Sequence, residues 1–136
     1  MTCDVAAGRV VVYINGEVAL DKSGNSFSAI NLGQPKNDAQ GKAHYFNIGY
    51  SYTSGRELHG EVCEVRVWNV VRTQEEIASN VYEVDPASEG LVAYWKCDEG
   101  AGDTIRDHTG NGNNGTANSA LKWNSVSLPE SSTEAN

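Results

Sequence analysis

The feature that most constrains the fold is an apolar segment near the start of the chain that is interrupted by two turn-forming residues. Residues 10–14 read Val-Val-Val-Tyr-Ile, and Asn15 and Gly16 then separate them from Glu-Val-Ala-Leu at residues 17–20. Asn and Gly tolerate the positive φ angles of a type I′ turn, whose twist matches that of two antiparallel strands. The sequence therefore predicts a β-hairpin.

Four further segments have the composition of strands and are separated by residues typical of turns. They comprise residues 45–51, 60–68, 90–97 and 121–128. In the second of them apolar and charged residues alternate, and successive side chains of a strand point to opposite faces. We therefore expect Cys63, Val65 and Val67 on a buried face, with Glu64 and Arg66 on the opposite face.

One short helix is predicted between these strands. Thr73 and Glu76 form the pattern of a capping box, in which each side chain binds the backbone N–H of the other residue. Ile77 and Val81 are four residues apart and would share the face that packs on the sheet. The predicted class is all-β, an antiparallel β-sandwich with one short helix near residues 73–82.

The charge of the chain excludes some partners. The 136 residues contain 18 acidic and 10 basic side chains, which gives a formal net charge of -8. Such a chain repels the phosphates of nucleic acids, so we expect no nucleic-acid partner. Its apolar runs are far shorter than the roughly 20 residues that cross a bilayer, so we expect no direct insertion into a membrane. Residues 1–9 show no pattern of a signal peptide.

The three cysteines are Cys3, Cys63 and Cys97, and their wide spacing includes no C-x-x-C pair for zinc. Cys63 and Cys97 lie in apolar surroundings, which favours buried free thiols. A bridge between Cys63 and Cys97 is the alternative.

Two linked motifs resemble a known family. Gly60-Glu-Val-Cys-Glu-Val-Arg-Val-Trp-Asn with Arg72-Thr-Gln-Glu-Glu-Ile, and Gly90-Leu-Val-Ala-Tyr-Trp-Lys-Cys-Asp-Glu-Gly with Asp107-His-Thr-Gly-Asn-Gly-Asn-Asn-Gly, are similar to motifs of laminin G-like, concanavalin A-like jelly-roll domains. The sequence of these motifs is similar to that of the C-terminal region of Bacteroides-type surface proteins. Cys97 stands where the family usually has Phe.

The resemblance implies a jelly-roll sandwich that binds carbohydrate or mediates adhesion at the bacterial surface or outside the cell, with a glycan or host polysaccharide as partner. The two motifs stand in the reverse of the order found in most members, so the chain resembles a permuted or truncated form of the domain. We expect a single domain over residues 1–129 that lacks N-terminal strands of its parent, followed by a disordered tail at residues 130–136. An incomplete sheet has an open edge, which would favour self-association.

A sugar-binding surface is predicted at the turn between two strands. Aromatic rings stack on the C–H faces of pyranoses, and polar side chains bind the hydroxyl groups. The residues that provide both kinds of group here are Tyr50, Tyr52, Arg56 and His59. The alternative is a plain exposed turn.

A structural calcium site is predicted near the second motif. Asp107, Thr109 and Asn111 precede a glycine with the spacing of the first half of a calcium loop. Asp98, Glu99 and Asp103 are possible further ligands, and calcium is the one cofactor that the sequence suggests. The alternative is that the Asn and Gly residues only form tight turns.

The sequence favours a protein that is not an enzyme. Related glucanases carry an E-x-D-x-E pattern that places its carboxylates on one face of a strand, and this chain lacks the pattern. Glu61 and Glu64 would point to opposite faces. A purely structural spacer without a ligand remains the main alternative, and a fragment of a glycoside hydrolase is a remote one.

Overall fold

The computed structural model of the chain describes residues 1–26, 36–37, 41, 43–50, 55–117 and 121–127. Within these residues lie nine strands and one helix: β1 (Thr2–Asp4), β2 (Arg9–Ile14), β3 (Glu17–Lys22), β4 (Lys36–Asn37), β5 (Ala43–His44), β6 (Val65–Trp68), α1 (Gln74–Ser79), β7 (Leu91–Trp95), β8 (Thr104–Ile105) and β9 (Gly115–Thr116). The strands form four antiparallel sheets, ordered β1-β2-β3, β4-β5, β6-β7 and β8-β9. The predicted all-β class is confirmed.

The predicted hairpin consists of β2 and β3. Asn15 and Gly16 have φ angles of 54° and 81°, as a type I′ turn requires, and the turn joins the paired residues Ile14 and Glu17. A shift in register between Val12 and Tyr13 marks a bulge. The local turn residues therefore fix this part of the fold.

Two of the other predicted strands are absent from the described residues, and a third begins later than predicted. Residues 45–50 and 121–127 contain no strand, and β6 begins only at Val65; residues 51 and 128 lie outside the described part. Gly49, with a φ of 73°, turns the chain in the first of these segments. Immediately before β6, Glu64 has a φ of 57°, which interrupts the extended backbone on which the predicted alternation depends.

The face that we expected to be buried in β6 is also wrong. Cys63 is exposed, and Val65 and Val67 are only half-buried. The side chains of Glu64 and Arg66 are each 11% exposed, since they bind one another and other buried groups. A charged pair thus occupies space that the alternation assigned to solvent.

The helix begins as predicted. The Thr73 hydroxyl accepts a hydrogen bond from the Glu76 N–H at 3.2 Å, and the Glu76 carboxylate accepts one from the Thr73 N–H at 2.9 Å. The helix ends at Ser79 rather than near residue 82, because Asn80 has left the helical conformation and its amide caps the Glu76 carbonyl at 2.8 Å. Val81 is 50% exposed, so its predicted packing on the sheet is wrong.

Within the described part of the chain, no helix is long and apolar enough to cross a membrane.

The core lies around β7. Tyr94 is fully buried and forms a cluster with Leu91 and Val84, against which Trp68 of β6 packs. Burying a large apolar side chain stabilises a fold by about 1.5–3 kcal/mol. The β6-β7 pair and the segment before β7, which contains Val84, therefore provide much of the apolar stabilisation.

A polar cluster closes one side of this core. The Tyr94 hydroxyl donates to Glu64, whose carboxylate also pairs with Arg66. The Arg66 guanidinium lies over the Tyr94 ring at 5.0 Å and donates to the carbonyl oxygens of Asn80 and Val81. This cluster ties the end of α1 to β6 and β7.

Candidate functional site

Asp107 organises the loop that follows β8. It is 4% exposed, and its Oδ1 accepts hydrogen bonds from the Tyr94 N–H at 3.1 Å, the Thr109 N–H at 3.0 Å and the Thr109 hydroxyl at 2.7 Å. Its Oδ2 accepts from the Asn113 N–H at 3.0 Å. Burial by itself would raise the pKa of Asp107, but these hydrogen bonds outweigh it and lower the pKa below its usual value.

The same loop lies along β7 and extends its hydrogen bonding. The Val92 carbonyl accepts from the side-chain amides of Asn111 at 2.9 Å and Asn113 at 3.0 Å. The His108 N–H donates to the Tyr94 carbonyl at 2.8 Å. Residues 107–113 therefore occupy a fixed position beside the core strand.

The predicted calcium ligands lie in this region but do not all converge. Both carboxylate oxygens of Asp107 face N–H or O–H donors, and the amide of Asn111 donates to β7. Thr109 is half-buried, whereas Asp98 and Asp103 are exposed. These contacts are those of a loop that supports the fold, and calcium binding stays a prediction.

A different group of side chains does converge. Asp98, Glu99 and His108 each provide one ligand atom, and the three atoms lie within 4.8 Å of one another. Asp98 Oδ1 is 3.6 Å from His108 Nε2, and Glu99 Oε1 accepts from the Arg106 N–H at 2.6 Å. The sequence suggests Glu99 as a possible calcium ligand but does not indicate His108, because it is the pairing of residue 108 with β7 that brings the imidazole to this place.

The predicted sugar-binding residues fall within residues 50–59 of the sequence. A hydrogen bond from the Leu58 N–H to the Gly49 carbonyl, at 2.8 Å, joins the two ends of this segment. The predicted residues are Tyr50, Tyr52, Arg56 and His59. Tyr50 is 54% exposed, and Arg56 and His59 are also exposed. Tyr52 lies outside the described residues. The structure therefore places three of the four at the surface, at the two ends of one loop.

Two further aromatic side chains precede this loop. Tyr45 is 67% exposed and Phe46 is 45% exposed. The Phe46 ring stacks on Trp95 of β7, with centroids 6.0 Å apart and an angle of 26° between the rings. The sequence predicts that these residues lie in a strand, and it does not indicate that their rings are exposed.

The predicted burial of Cys63 is wrong, since this thiol is exposed; Cys97 and Cys3 are half-buried, and all three cysteines are free. Burial, assisted by the nearby carboxylate of Glu99, raises the pKa of Cys97 to about 11. The alternative of a bridge between Cys63 and Cys97 is not formed.

Comparisons with known proteins identify relatives of this architecture. A laminin G family model, described as the concanavalin A-like lectin/glucanases superfamily, matches residues 1–78. The crystal structure of a proposed carbohydrate binding protein from Bacteroides ovatus is similar, with a TM-score of 0.59 and 31% sequence identity. The similarity covers 83% of this chain and 32% of the Bacteroides ovatus chain, so the present chain spans about a third of that protein's length.

Comparison with curated proteins gives no match. The family match covers more than half of the 136 residues, and it includes the β2-β3 hairpin, β6 and most of α1. This chain therefore belongs to the concanavalin A-like lectin/glucanase superfamily.

Proposed function

We propose that this chain is a carbohydrate-binding module of a bacterial surface or secreted protein and that it has no catalytic activity. The observation that carries this proposal is the similarity to the Bacteroides ovatus protein, which is described as a proposed carbohydrate binding protein and shares 31% identity over most of this chain. The superfamily includes both lectins and glucanases. The choice between them depends on the side chains at the surface.

The binding surface in this proposal is the loop between Gly49 and Leu58 together with the exposed aromatic residues that precede it. Tyr50 is more than half exposed, so its ring is available to stack on a pyranose. Arg56 and His59 add hydrogen-bond donors at the other end of the loop. A rigid scaffold that presents a loop of this composition is typical of a recognition site.

Two carboxylates near the core, those of Glu64 and Asp107, support the absence of catalysis. A glycoside hydrolase needs two carboxyl groups that both reach the glycosidic bond, with their separation of about 5–9.5 Å set by the mechanism. The Glu64 carboxylate is held by Arg66 and Tyr94, and Asp107 is held by donors of its own loop. Neither group is free to protonate or attack a bound sugar.

The second candidate is a structural module without a ligand. The hydrogen bonds of the Asp107 loop favour it, because the polar side chains of this loop bind β7 and one another. The chain also corresponds to 32% of its structural relative, so a neighbouring part of a longer protein could provide the binding activity.

Glycan-array binding followed by titration calorimetry separates the two candidates. We expect wild-type protein to bind at least one class of glycan, and the double variant Tyr50→Ala, Tyr52→Ala to bind it at least about tenfold more weakly, which corresponds to about 1.4 kcal/mol. The matched control is Tyr82→Ala, which removes another tyrosine, 41% exposed, from a segment outside the loop.

The control variant should bind like the wild-type protein. An array without signal from a protein that melts cooperatively would overturn the proposal and favour the structural module. Equal loss of affinity in the loop variant and the Tyr82 variant would remove the loop as the binding surface.

A further inference from the structure

We infer that Asp98, Glu99 and His108 form a binding site for a divalent transition-metal ion of the zinc class. The three ligand atoms lie within 4.8 Å of one another, and the closest pair that involves the imidazole is Asp98 Oδ1 and His108 Nε2 at 3.6 Å. In a tetrahedral site with ligands at about 2.1 Å, neighbouring ligand atoms are about 3.4 Å apart. Small adjustments of these side chains would therefore bring the three ligand atoms to that separation.

The backbone holds two of the three ligands in place before any ion binds. The His108 N–H donates to the Tyr94 carbonyl at 2.8 Å, which fixes the residue beside a fully buried part of β7. Glu99 accepts a hydrogen bond from the Arg106 N–H through Oε1, which leaves Oε2 for another partner. The hydrogen bond to Glu99 orients a ligating side chain, and such contacts strengthen metal binding.

Two ligand atoms of this group have unmet bonding capacity. His108 Nε2 and Glu99 Oε2 are buried atoms that have no hydrogen-bond partner among the residues that the structure describes. An unpaired buried polar atom is costly, and such atoms require a partner such as an ion or water. This is an observation separate from the clustering of the three residues, and it points to a bound species between them.

The ligand types select the ion. Calcium and magnesium prefer an all-oxygen set, whereas imidazole nitrogen with carboxylate oxygens suits zinc, cobalt and nickel. Two carboxylates and a neutral imidazole carry a net charge of -2, which a divalent ion neutralises. Three protein ligands leave the fourth tetrahedral position for water. The site shares Asp98 and Glu99 with the possible calcium ligands, and it adds the imidazole of His108.

Titration of the purified, tag-free, reduced chain with zinc chloride after treatment with a chelator tests this inference. We expect one equivalent of zinc to bind and to raise the melting temperature, and cobalt chloride to give the visible absorption bands of a four- or five-coordinate ion. Asp98→Asn changes a side chain that is 62% exposed and so spares the fold, yet it should weaken binding of zinc at least tenfold. His108→Gln should do the same.

The controls remove other side chains that can bind zinc. His59→Gln and Cys63→Ser replace exposed residues outside the site, and both should bind zinc like the wild-type protein. Unchanged affinity in Asp98→Asn and His108→Gln, or no binding below millimolar zinc, would overturn the inference. The 3.6 Å contact between Asp98 and His108 would then be an ordinary polar contact of the fold. None of these readouts depends on binding of a carbohydrate.

Discussion

Replacement of Asp107 by Asn tests whether its buried carboxylate holds the loop on β7. The native Oδ1 accepts three hydrogen bonds, from the Tyr94 N–H and from the N–H and hydroxyl of Thr109, and Oδ2 accepts one from Asn113. An Asn side chain can keep its oxygen towards the three donors. Its NH₂ group then faces the Asn113 N–H, so two donors oppose one another.

The expected loss follows from these contacts. A hydrogen bond to a charged acceptor contributes about 1.5–3 kcal/mol and a neutral one about 0.5–1.5 kcal/mol, while an unsatisfied buried donor costs about 1–3 kcal/mol. A neutral amide is cheaper to bury than a carboxylate, which offsets part of the loss. We therefore expect Asp107→Asn to lower the free energy of unfolding by about 3 kcal/mol, a large part of the roughly 5–15 kcal/mol that stabilises a typical domain.

The loss of stability in Asp107→Asn also depends on pH. Because the pKa of Asp107 is lowered in the folded state, its carboxylate stabilises the fold fully above the unfolded value of about 3.9 and loses this effect as the pH falls through the folded value. The difference in unfolding free energy between wild-type protein and Asp107→Asn should thus be constant from pH 7 to about pH 5. It should narrow below about pH 4.

Urea denaturation followed by tryptophan fluorescence measures this difference, since Trp95 adjoins the loop and its Nε1–H donates to the Asn113 carbonyl at 2.8 Å. The matched control is Asp103→Asn, which alters an exposed carboxylate and should change the unfolding free energy by less than about 0.5 kcal/mol. A variant at Asp107 within about 0.5 kcal/mol of the wild-type protein, or a difference that persists unchanged at pH 3, would refute the reasoning.

Three other predictions follow from the site and the core. Glu64→Gln leaves the nearly buried guanidinium of Arg66 without its ion partner, so urea denaturation should show a free energy of unfolding that is lower by about 3 kcal/mol. The control Glu83→Gln alters a 68% exposed carboxylate and should change the free energy of unfolding very little. Equal losses in the two variants would contradict this account. Because the pKa of Cys97 is about 11, only about one in a thousand of its thiol groups is ionised at pH 8. Iodoacetamide should therefore react first with the exposed Cys63, as measured by peptide mapping. Faster labelling of Cys97 would contradict this prediction. If the Asp107 loop binds calcium, the melting temperature should be higher in millimolar calcium than in chelator, and identical values would exclude the ion.

Local patterns predicted those elements whose stability depends on neighbouring residues. The Asn15-Gly16 turn and the capping box of Thr73 and Glu76 are correct because each is set by backbone angles or side-chain hydrogen bonds within four residues. The strand predicted at residues 45–51 fails because a strand needs a partner and because Gly49 turns the chain. The predicted alternation of buried and exposed side chains is wrong at Glu64, where a positive φ changes which side chains face the core.

The candidate sites also differ in how far the sequence predicts them. The sequence identified the loop that carries Tyr50, Arg56 and His59, since aromatic and polar residues around a turn are visible in one segment. It could not group His108 with Glu99, nine residues away, because their proximity arises when residues 107–108 pair with β7. It also could not assign Asp107 to the core, since the N–H groups that it binds belong partly to another strand.

The sequence alone thus determined the all-β class, the hairpin, the start of the helix and the family resemblance, all of which depend on short-range pattern and composition. Only the tertiary structure decided which charged side chains are buried, which aromatic rings are exposed and which ligand atoms converge. The physical reason is that burial and coordination depend on contacts between segments distant in the chain, and the free energies of those contacts are set by three-dimensional neighbours rather than by sequence neighbours.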